Sequence, residues 1–165
     1  MCIRDRKGKS RMPIAIMVMG IVFNVLNGMM QAGGLFYFAP EGLYADGWAY
    51  WLRPNALPGA LLFFAGMFIN LHSDYVVRHL RKPGDTKHYL PAKGLYRYVT
   101  SANYFGELVE WTGFAILTAS PAAWVFVWWT FANLVPRADA IYRYYREEFG
   151  DEAVGKRKRI IPCIY

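Results

Sequence analysis

The stretch VTSANYFGELVEWTGFAILTASPAAWVFVWWTFANLVP, residues 99–136, decides the fold. Its only charged residues are Glu107 and Glu110. It is far longer than the roughly 20 apolar residues that cross a bilayer. Pro121 lacks an amide hydrogen and cannot sit inside a helix without kinking or breaking it. The spacing therefore predicts a hairpin of two apolar helices, 99–119 and 121–136, joined by a minimal turn.

Two further uncharged runs lie upstream. Residues 54–73 read PNALPGALLFFAGMFINLHS, and no charge occurs from Met12 to Pro40. Four spans follow, at about 13–38, 54–73, 99–119 and 121–136, with a tail at 137–165. The predicted fold class is all-α, a polytopic membrane helix bundle in a single domain spanning residues 1–165. With 55% hydrophobic and 18% aromatic residues, the chain is neither a disordered tail nor a collagen-like or disulfide-rich module. There is no repeat.

The basic residues test the topology. Arg53 is the only one in the segment 39–53, and the turn at residue 120 has none. The other eighteen of the 19 Lys and Arg fall in the leader, in 74–98 and in the tail. Cytoplasmic loops of membrane proteins carry such an excess, so both termini are predicted to be cytoplasmic. The opening MCIRDRKGKSR reads as a basic loop entering a span, which predicts a fragment whose upstream helices are missing. It has no separate small-residue cleavage site of a signal peptide. Cys2 and Cys163 lie in no metal or redox motif and read as free thiols.

Polar residues inside these runs are costly. An acidic residue at a span centre costs about 2.5–3.5 kcal/mol on insertion scales, so such residues mark function or a buried polar network. Asn103, Glu107 and Glu110 stand at i, i+4 and i+7, on one helical face. Either the glutamates order a pocket, or they fasten neighbouring helices. In NLHSDYVVRHLRKPGD (70–85), Asn70, Asp74, Arg78 and Arg81 fall within an arc of about 80°. The helix is predicted to run to Lys82-Pro83-Gly84. Two deep acceptors and two shallower guanidiniums suit an elongated anionic ligand, and equally suit a face that snorkels toward anionic lipid. In the tail, Arg137, Tyr144 and Tyr145 begin an amphipathic stretch. Lys156–Arg159 form a basic knot that reads as membrane-surface electrostatics. No Walker A, HExxH or Rossmann glycine motif occurs, and His72, His79 and His88 have no zinc spacing. Topology accounts for the net charge of +7, so nucleic acid is not an expected partner.

The ordered set NLHSDYVVRHLRKPGD, LPAKGLYRYVTSANYFGELVEW, PRADAIYRYY and RKRIIPCIY resembles the membrane steroid 5-alpha-reductases (3-oxo-5-alpha-steroid 4-dehydrogenases), as do RKGKSRMPI and FNVLNGMMQ. The likeness covers nearly all of this chain and the C-terminal part of the family's. It implies a bundle of seven membrane helices, four of them here, and an NADPH-dependent reduction of a double bond conjugated to a 3-oxo group. It also implies that Asn70, Asp74, Arg81, Asn103, Arg137 and Tyr145 line the cofactor site. Glu107 would help order it with Glu110, and helix geometry adds Arg78. The family's catalytic tyrosine–glutamate pair would lie upstream of this chain. The expected partners are a small steroid or lipid substrate and membrane lipid, in the endoplasmic reticulum of a eukaryote or the inner membrane of a bacterium. Tyr89, Ile141 and Met19 depart from residues common in the family. Enoyl-CoA or polyprenol reductases and isoprenylcysteine methyltransferases share the architecture and are the alternative enzymes. A lipid-binding membrane protein without activity is the non-enzymatic alternative.

Overall fold

The computed structural model describes residues 13–45, 47–80 and 87–165. The basic leader, Cys2, Arg81 and the Lys82-Pro83-Gly84 stop lie outside the described residues. Among the described residues the regular structure is helical, with no strand. Helix α1 spans Ile14–Ala32 and continues as a π-helical turn, Gly33–Tyr37. A 3-10 turn at Gly47–Leu52 leads into α2, Ala56–Arg78. A second 3-10 turn, Gly94–Arg97, precedes α3 at Ala102–Thr118. Helix α4 runs Pro121–Phe149, and a short α5, Asp151–Val154, opens the tail.

The predicted hairpin is present. Thr118 ends α3, Ala119 takes the left-handed conformation at φ 51°, and Pro121 starts α4 at its first helical position. There its missing amide hydrogen costs nothing. Helix α4 does not stop at 136 as expected. Pro136 lies inside it and deletes one backbone hydrogen bond. Leu134 and Ala138 on either side are buried against Ile160 of the tail, which holds both halves in one rod. Helix α2 corrects the sequence reading in the other direction, ending at Arg78 rather than at Lys82. Its cap His79 leaves helical geometry at φ −100°, ψ 9°, and its Nδ1 lies 2.8 Å from the Tyr75 carbonyl oxygen. The same carbonyl also accepts the His79 N–H at 3.1 Å, so the imidazole adds to a backbone bond already made.

The core is the antiparallel pair α2–α3. Ala56, Gly59, Ala60, Gly66 and Ser73 are buried along α2, and Ala102, Gly106 and Gly113 along α3. Gly59 meets Leu117, Gly113 meets Phe63, Gly66 meets Glu110 and Gly106 meets Asn70, in each case backbone against backbone. These contacts advance by four, three and four residues along α2 while receding by the same steps along α3. A 3.5-residue period of small side chains lets two helices lie this close.

The remaining apolar surface faces outward. No residue of α1 is buried, and Leu57, Leu61, Phe64, Phe68 and Leu71 are exposed on α2. Among the described residues two helical segments, Ile14–Tyr37 and Ala56–Arg78, are long and apolar enough to cross a membrane. Helix α1 meets α4 through Phe23, whose ring lies 5.7 Å from that of Trp129.

The tail returns to the start of α3. Thr100 N–H donates to the Lys158 carbonyl at 2.9 Å, and Lys158 N–H to the Tyr98 carbonyl at 2.8 Å. Arg159 pairs with Asp139 of α4 at 2.6 Å and lies 4.8 Å from the ring centres of both Tyr142 and Tyr165. The 94–101 segment, whose one charged residue is Arg97, and the tail with its basic run Lys156–Arg159 thus meet.

Candidate functional site

The register of α2 against α3 fixes which polar groups meet. The four-residue step from Gly66 to Asn70 on α2 faces the step from Glu110 back to Gly106 on α3. Asn70 Nδ2 consequently points at Glu110 and donates to its Oε2 at 3.5 Å. One turn further along α2, Asp74 pairs with Arg78. This ion pair is open to solvent, with side chains 38% and 57% exposed. Arg78 therefore neutralises Asp74 instead of forming a separate outer cation. Arg81, expected on the same flank, lies outside the described residues.

Asn103 stands at the start of α3, and Tyr96 donates its hydroxyl to Asn103 Oδ1 at 3.4 Å. Tyr96 is 3% exposed, packed with Val76, Val99 and Ala102. Its phenol is held above the ordinary 10.0, first by burial and then by Tyr145, with Asp74 and Tyr104 adding to the effect. Asn103 is the hydrogen-bond partner of this hydroxyl, while Tyr145 of α4, Asp74 of α2 and Tyr104 of α3 act on it electrostatically. Tyr96 was not singled out in the sequence reading. The signal available was the tyrosine in GLYRYVTSAN, seven residues before Asn103. Gly94 sets its turn: φ is +60°, and a Cβ there would lie 2.6 Å from His72 Cε1.

Glu107 and Glu110 are both partly buried. Glu107 interacts electrostatically with Glu110 and with the exposed Arg137 of α4. The structure thus joins Asn70 with Glu110, Asp74 with Arg78, and Asn103 with Tyr96, while Arg137 acts on Glu107, and Asp74 and Tyr145 on Tyr96, through electrostatics. No group of His, Cys, Asp and Glu suited to a metal occurs among the described residues.

Tyr96→Phe isolates the role of the central hydroxyl. Loss of its hydrogen bond is expected to cost about 1 kcal/mol at neutral pH. Because the folded phenol ionises later than the unfolded one, wild-type stability holds below about pH 10 and declines as pH rises further. Tyr96→Phe is expected to flatten that decline, read as thermal midpoints between pH 8 and 11.

The sequence profile described as 3-oxo-5-alpha-steroid 4-dehydrogenase matches residues 10–165. The chain is 42% identical over 159 residues to 3-oxo-5-alpha-steroid 4-dehydrogenase 1 of Macaca fascicularis, covering 96% of this chain and 58% of that protein. It is 41% identical over 159 residues to the protein of that name from Homo sapiens, covering 96% of this chain and 59% of that one. It is also 37% identical over 158 residues to steroid 5-alpha-reductase DET2 of Arabidopsis thaliana, again covering 96% and 59%. The chain therefore spans somewhat over half the length of the curated relatives it matches.

Proposed function

The chain belongs to the 3-oxo-5-alpha-steroid 4-dehydrogenase family, and we propose that it carries the NADPH-binding helices of a reductase acting on the conjugated double bond of a 3-oxo-Δ4 steroid or similar lipid. The observation that carries this reading is the polar line along α2 and α3, in which Asn70 meets Glu110 and Asn103 meets Tyr96.

The donor set suits a reduced dinucleotide. Carboxamides at Asn70 and Asn103 offer both donors and acceptors to an amide-bearing ring. Asp74 offers acceptors to ribose hydroxyls. Arg137, with Arg81, supplies guanidiniums for phosphates, while Arg78, expected beside them, is paired with Asp74. Asn70 and Asn103 are held by Glu110 and Tyr96, so their amide planes are oriented before a ligand arrives. Such preorganisation lowers the ordering cost of binding. Bound NADPH would supply the hydride for the β-carbon of an enone. The chain's own residues would orient the dinucleotide and keep water from the reacting carbon. No catalytic acid is assigned among them.

The same reading places α1, α2, α3 and the first half of α4 across a membrane, with both termini cytoplasmic. Helices α2 and α3 touch from Gly59–Leu117 to Asn70–Gly106, so they share one depth. The meeting of the 94–101 segment, which carries Arg97, with the tail's Lys156–Arg159 run agrees with the charge asymmetry.

Fluorescence titration of the protein in detergent with NADPH tests the site. Asn103→Ala and Asp74→Ala are each expected to weaken binding about 10–100-fold, the loss of one or two hydrogen bonds to polar or charged groups. Leu71→Ala, on the exposed face of α2, should bind as wild type. Equal affinity in all three variants would overturn the assignment. Comparing turnover of a 3-oxo-Δ4 steroid with that of an enoyl-CoA decides the substrate class.

A further inference from the structure

The basic knot of the tail is not a uniformly solvated face. Arg159 is turned inward onto Asp139, between the Tyr142 and Tyr165 rings. Arg157 is half-buried, and its Nη1 is fully buried without any hydrogen-bond partner. A guanidinium N–H left unpaired away from water is costly, because a charged donor loses its hydration and gains nothing.

Beside it lies a cavity of about 320 Å³ between the end of the 94–97 turn and the tail. Arg97, Lys156, Arg157 and Lys158 line it, together with Gly155 and Cys163, and no carboxylate does. Its walls are fixed by the backbone. Lys158 is bonded on both its N–H and C=O to Tyr98 and Thr100, and Val154, which also lines the cavity, is buried at 2% exposure. The turn also separates the cavity from the polar cluster of α2 and α3. Tyr96 points toward Asn103, while its neighbours Arg97 and Tyr98 line the cavity.

We propose that this cavity, with Arg97 and the part of Arg157 that lines it as its guanidinium contacts, is a binding site for a phosphomonoester anion, separate from the dinucleotide site. Four cations without a carboxylate select an anion. Guanidinium favours the planar, two-oxygen contact that phosphate offers over a single-point halide contact. The volume exceeds what a bare phosphate fills, leaving room for the group esterified to it. That group belongs either to a small soluble phosphate or to a lipid such as phosphatidic acid, since the basic face containing the cavity is the one expected against an anionic leaflet.

The test uses the protein in detergent titrated with inorganic phosphate, and the protein in phosphatidylcholine nanodiscs with and without phosphatidic acid. Phosphorus NMR reads phosphate binding, and native mass spectrometry counts retained lipid. Arg157→Gln is expected to weaken whichever ligand binds about 10–100-fold. Arg143→Gln, which removes the same charge from the α4 surface, should leave binding within twofold or so. Arg157→Lys keeps the charge and loses the fork, so it should bind weakly while its thermal midpoint reports that the tail is folded. Saturation by phosphate in detergent assigns a soluble ligand, and retention of phosphatidic acid alone assigns a lipid. Three results would overturn the proposal: binding of neither ligand, equal losses in Arg157→Gln and Arg143→Gln, or displacement of the anion by NADPH.

Discussion

Gly113→Ala unfolds the α2–α3 pair at markedly milder conditions than wild type, and Gly66→Ala does the same. A Cβ on Gly113 would lie 2.2 Å from the backbone nitrogen of Phe63 and 2.7 Å from the Leu62 carbonyl carbon. On Gly66 it would lie 2.2 Å from the Glu110 nitrogen. Backbone atoms inside a helix cannot rotate away, so the helices must separate along their length. Overpacking of this kind typically costs about 1–3 kcal/mol and occasionally more; here the upper end is expected, because both clashes are with main chain. Helix propensity works the other way, since alanine in a helix is favoured over glycine by about 1 kcal/mol. Gly20→Ala in α1 separates the two effects. Nothing lies within 4 Å of that position, so it is expected to be neutral or slightly stabilising. Unfolding in detergent followed by tryptophan fluorescence reads all three. Gly66→Ala should also weaken NADPH binding, because Asn70 meets Glu110 only while the backbones touch. Wild-type midpoints for Gly66→Ala and Gly113→Ala would mean that this register is wrong.

Much of this was legible in the residues. Pro121 announced the α3–α4 turn because its missing amide hydrogen is harmless only at a helix start. Uncharged runs located α1 and α2 within a few residues. The face shared by Asn103, Glu107 and Glu110 followed from periodicity alone. What was not legible depended on contacts distant in sequence. Nothing near Pro136 says that α4 continues, because the compensation comes from Ile160, packed against Leu134 and Ala138. The early end of α2, at Arg78, comes before the Lys82-Pro83-Gly84 stop and has no breaker residue of its own to announce it. Arg78 was aligned correctly with Asp74, but spacing cannot say whether a guanidinium serves a ligand or its own neighbour. The glycines at 59, 66, 106 and 113 did carry a signal, two pairs seven residues apart. It becomes meaningful only when the two helices are known to be antiparallel partners.

Glu110→Leu raises the insertion of α3 into a membrane and at the same time damages the site. On insertion scales a central acidic residue costs about 2.5–3.5 kcal/mol and a leucine returns about 0.3–0.6, so the exchange shifts apparent insertion by roughly 3–4 kcal/mol. At 17 residues α3 is also short, about 25 Å against a hydrocarbon core near 30 Å. On the proposed four-span topology its unaided insertion is marginal, and packing on α2 would set its depth. A residue so costly is retained where it meets a polar partner. Asn70 on α2 is that partner for Glu110, and Arg137 on α4 is close enough to act on Glu107. A glycosylation-tagged reporter carrying α3 in microsomes measures insertion, and NADPH titration of the protein carrying the same substitution measures the site. Insertion should rise steeply while affinity falls, since leucine leaves the Asn70 amide without its acceptor. Were insertion unchanged, the carboxylates would not lie at membrane depth, and the span assigned to α3 would fall with them. Were insertion to rise with affinity intact, α3 would keep its place in the bilayer, but Glu110 would be a fastener between helices and not a support for the ligand.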